Sequence, residues 1–449
     1  MMPGTETEPR YLNLAESLVS YARKQGADEV EVAIVDSTEF TVDIRHGEIE
    51  NLIEAGSRSL GLRIIKGQRT AYTSSSDLSE DSLHRLISRA VKRAELSSPD
   101  NCAGLPAARR FGHNIDALKL FDPQIAELSP ETKIELAKKT EHIALQDKRI
   151  VNSHGSTCET RIIKTTLANS NGFSQSYNET YCGLSLGLQA GQTDEIVEDY
   201  WSSSKRHFDE LETPEGIAAR CIARTVRQLH PRKIPTQRVP VVFETTMTSW
   251  LLGFLFACVS GVSVYQKTSF LQDKLGEHIA DNRLTIYDDG LIPGLLGTTP
   301  FDSEGVPAQK TTVVDQGILI NFLCNTYAAK KLKLTSTGNA EGTGVAPHNF
   351  YLEAGSTQPD QIISSMDKGL ILIRTLGHGL NPVTGDFSRG AYGLWVEKGE
   401  IAYPVAEITI SGNLASVLRN IDMIGNDLEF RTPVCGPTLK IHDLMIAGT

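Results

Sequence analysis

The sequence lacks a hydrophobic run long enough to cross a membrane. Its longest apolar stretch, residues 250–259, is ten residues long, whereas a membrane-spanning helix needs about 20. The N-terminus, MMPGTETEPR, contains neither the basic segment nor the apolar segment of a secretory signal. These two features predict a cytoplasmic protein that has no membrane partner.

Basic and aromatic residues are also scarce. There are 44 Lys and Arg against 55 Asp and Glu, and the formal net charge is −11. This balance argues against a nucleic-acid partner, because phosphate binding requires a basic face. Aromatic residues make up 6% of the chain whereas 37 residues are Gly, a composition that favours strands and turns over a helical bundle. A chain of 449 residues is long enough to form two or three domains.

Paired cysteines are missing as well. The seven Cys residues are an odd number, and no two of them have the C-x-x-C spacing. We therefore expect reduced and mostly buried thiols, and neither a disulfide framework nor a zinc cluster built from cysteines.

The hydrophobic pattern of residues 1–122 predicts an N-terminal α/β domain in which a helix, an antiparallel sheet and a second helix follow one another. Glycine-containing turns at 46–47 and 66–67 separate strands of this sheet. Asp77 and Glu80 have the spacing of a capping pair and predict the start of the second helix. The predicted strands are residues 30–35, 38–45, 49–53, 60–65 and 70–73.

Residues 123–235 predict a middle domain built around a long hairpin. Its two strands, 150–169 and 173–189, flank a turn rich in Asn and Gly. The residues around Ser185 match the G-x-S-x-G pattern of serine hydrolases. That motif requires a sharp turn from a strand into a helix, whereas Ser185 lies inside a continuing strand pattern. We therefore do not assign Ser185 as a nucleophile.

Residues 236–449 predict a β-rich C-terminal domain, which gives the chain an α+β, multidomain fold. The polar loop 381–390 contains Asp386 and Arg389. It is either a binding edge or a solvated turn in which these two side chains pair with each other. The main predicted elements are a buried strand at 239–243, an apolar helix at 246–260, a Gly-rich loop at 337–344, and a hairpin of strands at 391–397 and 401–410.

Five segments of the chain resemble the PmbA, or TldE, branch of the TldD/PmbA family. They are TSFLQDKLGEHI (268–279), FDSEGVPAQKTTVVDQGIL (301–319), GNAEGTGVAPHN (338–349), NPVTGDFSRGAYGLWVEKGEIAYPVAEITISGN (381–413) and IGNDLEFR (424–431). The resemblance runs nearly end to end and implies a two-part N-terminal region ahead of a sheet-rich C-terminal domain. In this family, TldD-type subunits carry zinc on an H-E-x-x-x-H helix plus a distant cysteine, and they cleave peptides. PmbA-type subunits resemble them in fold, pair with them and usually lack the motif.

The resemblance places three residues of this chain where the zinc motif stands in TldD-type subunits. With Gly253 aligned on the family glycine, Ser249 and Trp250 take the positions of the first His and the Glu. Phe254 takes the position of the second His. A catalytic zinc needs imidazole or carboxylate ligands and a base for its water, which these side chains do not supply. We therefore predict no catalytic residue, metal ligand or cofactor in this chain, with zinc in a TldD-like partner, and a buried structural role for Cys435.

These features together predict a subunit of a cytosolic TldD-type zinc metallopeptidase complex that degrades or processes unfolded peptides. The chain would form a heterodimer with a TldD-like subunit, or otherwise a homodimer. Two alternatives stay open: a self-sufficient peptidase with an unrecognised site, and a non-enzymatic protein-binding modulator like the gyrase modulator that the family is also named for. The candidate peptide channel is formed by two loops whose Gly residues permit close backbone approach. Its predicted residues are Gly338, Asn339, Gly342, Gly344, Asp386 and Arg389.

Overall fold

The computed structural model describes residues 7–108, 111–192 and 195–448. One large sheet with its helices forms the N-terminal half, and several further sheets form the C-terminal region. The predicted α+β, multidomain class is therefore confirmed. Within the described residues, no helix is both long enough and apolar enough to span a bilayer.

The N-terminal half is organised by a six-stranded sheet. Its strands are β1 (Glu29–Arg45), β2 (Glu48–Lys66), β3 (Arg69–Ser75), β4 (Ile150–Asn169), β5 (Ser174–Ala190) and β6 (Val197–Lys205). The strand order is β3-β2-β1-β4-β5-β6, with antiparallel neighbours throughout. β1 pairs with β4 from Glu31 opposite Asn169 to Ile44 opposite Ser156. The predicted N-terminal and middle domains therefore share one continuous sheet.

Two long strands replace four of the predicted short ones. β1 contains the first two predicted strands, and β2 contains the next two. The polar residue Ser37, which separates the first two in the sequence, lies opposite Ser57 in the β1–β2 ladder, and their hydroxyl oxygens are 2.8 Å apart. The predicted breaks were wrong because cross-strand pairing overrides the local preference of small polar residues for turns.

The helices of this half are α1 (Thr7–Lys24), α2 (Glu80–Leu96), α3 (Pro123–Glu127), α4 (Pro130–Ala144) and α5 (Pro214–Val226). Val32 and Ile34 of β1 lie in a core with α1 and α2, whereas Val42 and Ile44 lie in a core with α4 and α5. These even-numbered residues share one face of the strand. Ala33, on the other face, lines a cavity against the C-terminal region.

The start of α2 differs from the prediction. Ser79 is the N-cap residue, and Asp77 accepts the Ser79 N–H at 2.9 Å in the turn before it. The predicted Asp77–Glu80 capping pair is therefore wrong, because the Asp77 side chain bonds to Ser79 in the turn before the helix and does not cap the helix itself. Glu80 is the first helical residue, where a negative charge is favoured by the helix dipole.

The C-terminal region alternates short strands and helices. In chain order its elements are β7 (Gln237–Phe243), α6 (Thr245–Val259), α7 (Gly261–Tyr265), β8 (Ile286–Asp289), β9 (Lys310–Asp315), β10 (Ile318–Leu319), α8 (Thr326–Leu332), β11 (Ala340–Glu341), β12 (Gly344–Val345), β13 (Asn349–Leu352), α9 (Pro359–Ser364), β14 (Lys368–Leu376), β15 (Asp386–Glu397), β16 (Glu400–Asn413), α10 (Leu414–Arg419), β17 (Ile421–Ile424), β18 (Val434–Cys435) and β19 (Leu439–Ala447).

A barrel and a smaller sheet share the main core of this region. One sheet has the order β16-β15-β14-β7-β19-β17, and β16 also pairs with β19, so that five strands close into a barrel. The other sheet has the order β10-β9-β8-β13-β18. The predicted helix at 246–260 is confirmed within one residue as α6, and Leu251, Leu255 and Cys258 on it are at most 1% exposed.

β15 begins inside the predicted polar loop. Asp386 pairs with Asn413 of β16, and Arg389 pairs with Ile410. The loop prediction is therefore wrong for residues 386–390. Their Gly, Ser and Asp content is typical of loops, but pairing with β16 holds them extended.

Candidate functional site

Helix α6 carries the three positions that the family resemblance singles out. The helix follows directly on strand β7, and Glu244 occupies its N-cap position. Both carboxylate oxygens of Glu244 accept hydrogen bonds from Arg227, at 2.6 and 2.8 Å. This bidentate pair joins the end of α5 to the start of α6 and fixes the position of the first turn of α6.

The three side chains of interest on α6 have separate surroundings. The Ser249 hydroxyl donates to the backbone oxygen of Thr245 at 2.9 Å. The Trp250 ring packs edge-on against Phe387 at a centroid distance of 5.7 Å. Phe254 is 2% exposed and lies in the main core. A hydroxyl that is already bonded, an indole and a buried phenyl ring do not form a zinc site.

Cys435 lies close to α6 in the fold, although the two are far apart in the sequence. An added Cβ at Gly436 would stand 2.4 Å from the Thr248 side chain. The backbone next to β18 therefore approaches α6 so closely that only Gly fits at this position. The Cys435 thiol donates to the backbone oxygen of Thr432 at 2.9 Å and is 2% exposed, which confirms the predicted burial. Among the described residues, no group of three or more His, Cys, Asp or Glu side chains is arranged to hold a metal. The residues present around α6 therefore do not fit zinc.

A cleft of about 210 Å³ opens beside the first turn of α6. We call it the arginine cleft. Its walls come from β6, α5, α6, β14 and the segment before β18, and they include both Ser249 and Cys435. The structure thus brings Ser249, one of the three positions that the resemblance singles out, into the same cleft as Cys435, while Phe254 points into the core. The arginine cleft is defined by six of its lining residues, Trp201, Arg224, Ser249, Arg374, Arg431 and Cys435.

Three guanidinium groups are held in the arginine cleft. Arg431 stacks on the Trp201 ring at 3.3 Å and donates to the backbone oxygen of Ser202. Arg224 pairs with Asp199 at 3.2 Å. Arg374 donates to the backbone oxygen of Glu198 at 2.8 Å. Burial lowers the pKa of Arg431, yet an arginine stays charged at neutral pH. The cleft is therefore a fixed cationic site.

The sequence did not reveal these arginines as a group. Arg224 lies on α5, Arg374 on β14 and Arg431 in the segment before β18, and only the fold joins them. The sole signal was that Arg431 ends the IGNDLEFR segment on which the family resemblance partly rests.

The predicted channel residues of the Gly-rich loop are bound into the fold. Asn339 is 1% exposed, and its amide donates to Asp288 at 2.6 Å. Gly338 has a φ of 77°, and an added Cβ would stand 2.8 Å from the Pro307 backbone oxygen. Gly342 and Gly344 belong to the β11–β12 hairpin, where Gly342 has open space around its Cα.

Asp386 and Arg389 project from opposite faces of β15 because they are three residues apart in a strand. Asp386 accepts from the Asn413 amide at 2.9 Å, and this bond is the first cause of its lowered pKa. The Arg389 guanidinium lies 5.3 Å from the Trp250 ring centre. The alternative of an Asp386–Arg389 ion pair is therefore wrong. Asn339 and Asp386 have different neighbours, and a shared peptide channel stays a prediction.

Ser185 lies within β5, paired with Thr157 on one side and Ser202 on the other. No turn into a helix follows it, so the interpretation of its G-x-S-x-G segment as plain strand is confirmed.

Sequence models of one family match three parts of the chain. They are domain 1 of the PmbA/TldA metallopeptidases at residues 30–94, the central domain at 123–229 and the C-terminal domain at 236–448. The metalloprotease PmbA of Escherichia coli O157:H7 is 38% identical over 445 residues, which cover 99% of this chain and 97% of that protein. The chain belongs to the PmbA/TldD metallopeptidase family. A PmbA homologue of Haemophilus influenzae is 35% identical, over 96% of this chain and 94% of its own length.

Two solved structures share the whole fold of this chain. A crystal structure from Bacteroides thetaiotaomicron, described as a candidate modulator of DNA gyrase, has a TM-score of 0.92 at 27% identity and covers 99% of this chain and 100% of its own. The structure of TldE from Thermococcus kodakarensis has a TM-score of 0.88, over 97% of this chain and 100% of its own. At 24% identity it shows the fold alone.

Proposed function

We propose that this chain is a non-catalytic subunit of a zinc metallopeptidase. The observation that carries the proposal is the chemistry of α6, where the resemblance assigns Ser249 and Phe254 to the positions of the two zinc-binding His and Trp250 to the position of the Glu base. The fold and family are those of metallopeptidases, whereas these three side chains do not fit the metal. Zinc held by a TldD-like partner would activate a water for amide hydrolysis.

The role of this subunit is to shape the space in which a peptide is held. It pairs with a TldD-like chain as a heterodimer, or otherwise with itself, in the cytoplasm. An extended peptide adds to an exposed sheet edge through backbone hydrogen bonds, and such an edge accepts only unfolded or short chains. The β11–β12 hairpin around Gly342, together with Asp386 and Arg389, contributes to this channel.

Reconstitution with a TldD-like partner tests the proposal. The purified chain alone, supplied with zinc, is expected to leave an unfolded peptide intact, while the mixture of both chains cleaves it faster than the partner alone. Chelator-sensitive cleavage by this chain alone, at the rate of the mixture, would overturn the proposal.

A further inference from the structure

We propose that the arginine cleft binds the C-terminal carboxylate of a peptide. The inference rests on the proposed function, since it names the part of a peptide that this subunit holds. The cleft lies beside Ser249, so the anion would bind close to the position that the metal occupies in catalytic relatives. Three features of the cleft carry the inference.

The first feature is that its cations are held in place before any ligand arrives. The guanidinium carbon of Arg431 lies over the Trp201 ring, 3.3 Å from its centre, and Trp201 is itself 8% exposed. Arg374 lies over the Tyr392 ring at 4.2 Å. Stacking on aromatic rings fixes the plane of a guanidinium and leaves its N–H edge free for a planar acceptor. Because the side chains are already ordered, little conformational entropy is lost on binding.

The second feature is a set of buried donors without acceptors. Nη1 of Arg431, Nε of Arg374 and Nε of Arg224 are buried and have no hydrogen-bond partner among the described residues. Buried polar atoms are usually bonded, and each exception calls for a reason. The Thr246 hydroxyl at the start of α6 is also buried and unpartnered. A carboxylate bound in the cleft has enough lone pairs to accept from more than one of the guanidinium N–H groups that face it.

The third feature is an excess of positive charge, because three Arg side chains and two carboxylates, those of Asp199 and Glu429, line the cleft. Arg224 pairs with Asp199 at 3.2 Å and with Glu244 at 3.6 Å, and Arg374 lies 3.7 Å from the half-exposed carboxylate of Glu198. Arg431 makes no ion pair with any residue that the structure describes, and its contacts are the Trp201 ring and one backbone oxygen. The first turn of the 15-residue helix α6 adds a partial positive charge on the same side. This charge therefore favours the binding of an anion in the arginine cleft.

Size and lining favour the end of a peptide over a free inorganic anion. Met247 and Ile373 also line the cleft, and they offer apolar contacts that phosphate does not use. A volume of about 210 Å³ accommodates roughly one terminal residue with its carboxylate. An internal Asp or Glu side chain presents the same carboxylate chemistry, so the experiment must separate it from a chain end.

Calorimetric titration of the full-length chain, without partner, tests the inference. The probes are two short unfolded peptides of the same sequence with an apolar last residue, one ending in a free carboxylate and one amidated. The free acid is expected to bind at least about tenfold more tightly, because only its carboxylate can form charge-assisted hydrogen bonds with the arginines. Arg431→Gln and Arg374→Gln should remove this difference. Arg238→Gln is the control, since its exposed side chain pairs with Asp443 outside the cleft.

Thermal unfolding of each variant shows whether it is folded, and the comparison of acid with amide in the parent chain needs no variant. Equal affinities for acid and amide would overturn the inference. An amidated peptide with an internal Glu that binds as tightly as the acid would also overturn it. Turnover by the reconstituted complex is measured in parallel. If the acid has no advantage while turnover still needs both chains, this inference fails and the proposed function stands. If the isolated chain is a zinc peptidase, the proposed function fails instead.

Discussion

Replacing Glu31 by Gln should remove part of the loss of stability that this protein shows as the pH rises. Glu31 on β1 faces charges from two other parts of the fold, β2 and the segment 302–304, and its Oε2 atom is buried without a hydrogen-bond partner among the described residues. Arg63 on β2 is a nearby cation, and it donates to Glu304 at 2.9 Å. Burial is the first cause that raises the pKa of Glu31, to about 8, and Glu304 and Asp302 add to it while Arg63 opposes it.

The sign of the effect follows from the two pKa values. The native carboxyl keeps its proton up to about pH 8, whereas the unfolded one loses it near 4.5. Between these values the unfolded state binds fewer protons, so the free energy of unfolding falls as the pH rises. One pKa unit corresponds to about 1.36 kcal/mol. The loss between pH 5 and pH 8 that is due to Glu31 is therefore roughly 3 kcal/mol.

Urea unfolding of the parent and of Glu31→Gln, followed by circular dichroism at several pH values from 5 to 8, measures the effect. The variant should gain stability relative to the parent by roughly 3 kcal/mol across this range, because Gln cannot ionise. Glu39→Gln is the matched control on the same strand, since Glu39 is 43% exposed and pairs with Arg161 at the surface. A stability difference between Glu31→Gln and the parent that is the same at pH 5 and pH 8 would refute the reasoning.

Three further predictions concern thiols, the core and the channel. A thiol reagent should label about one group per native chain, because Cys102 alone is partly exposed; labelling that persists in Cys102→Ser would contradict this. Phe254→Ala should lower the free energy of unfolding by about 3–5 kcal/mol in urea titrations, and a loss below about 1 kcal/mol would show that the side chain is not in a packed core. Asp386→Ala and Arg389→Ala should slow peptide turnover by the reconstituted complex while its melting temperature and partner affinity stay near those of the parent. If turnover is unchanged, or falls only together with folding or pairing, the channel assignment is wrong.

Elements with strong local signals could be predicted from the sequence. Strand β4 (Ile150–Asn169) was predicted at its observed limits, and α6 within one residue. Each has a local cause, a turn rich in Asn and Gly that ends β4 and a continuous apolar run that forms α6. The long strands β1 and β2 were not predicted whole, because their continuity depends on pairing with each other across the sheet.

The candidate site was predictable only in part. The resemblance identified Ser249, Trp250 and Phe254. The structure shows that their surroundings differ, since Ser249 faces the arginine cleft while Phe254 faces the core. Arg224 and Arg431 are about 200 residues apart and meet through the packing of α5 against the C-terminal region. Such a site leaves no spacing pattern in the sequence.

The zinc content of the purified, tag-free chain tests the central claim most directly. The chain is saturated with zinc, freed of unbound metal and analysed. We expect a zinc content far below one per chain, because the Ser249 hydroxyl is bonded within α6 and Phe254 is buried in the core. A ratio near one zinc per chain that is lost in Cys435→Ser would contradict the claim that this subunit has no metal site.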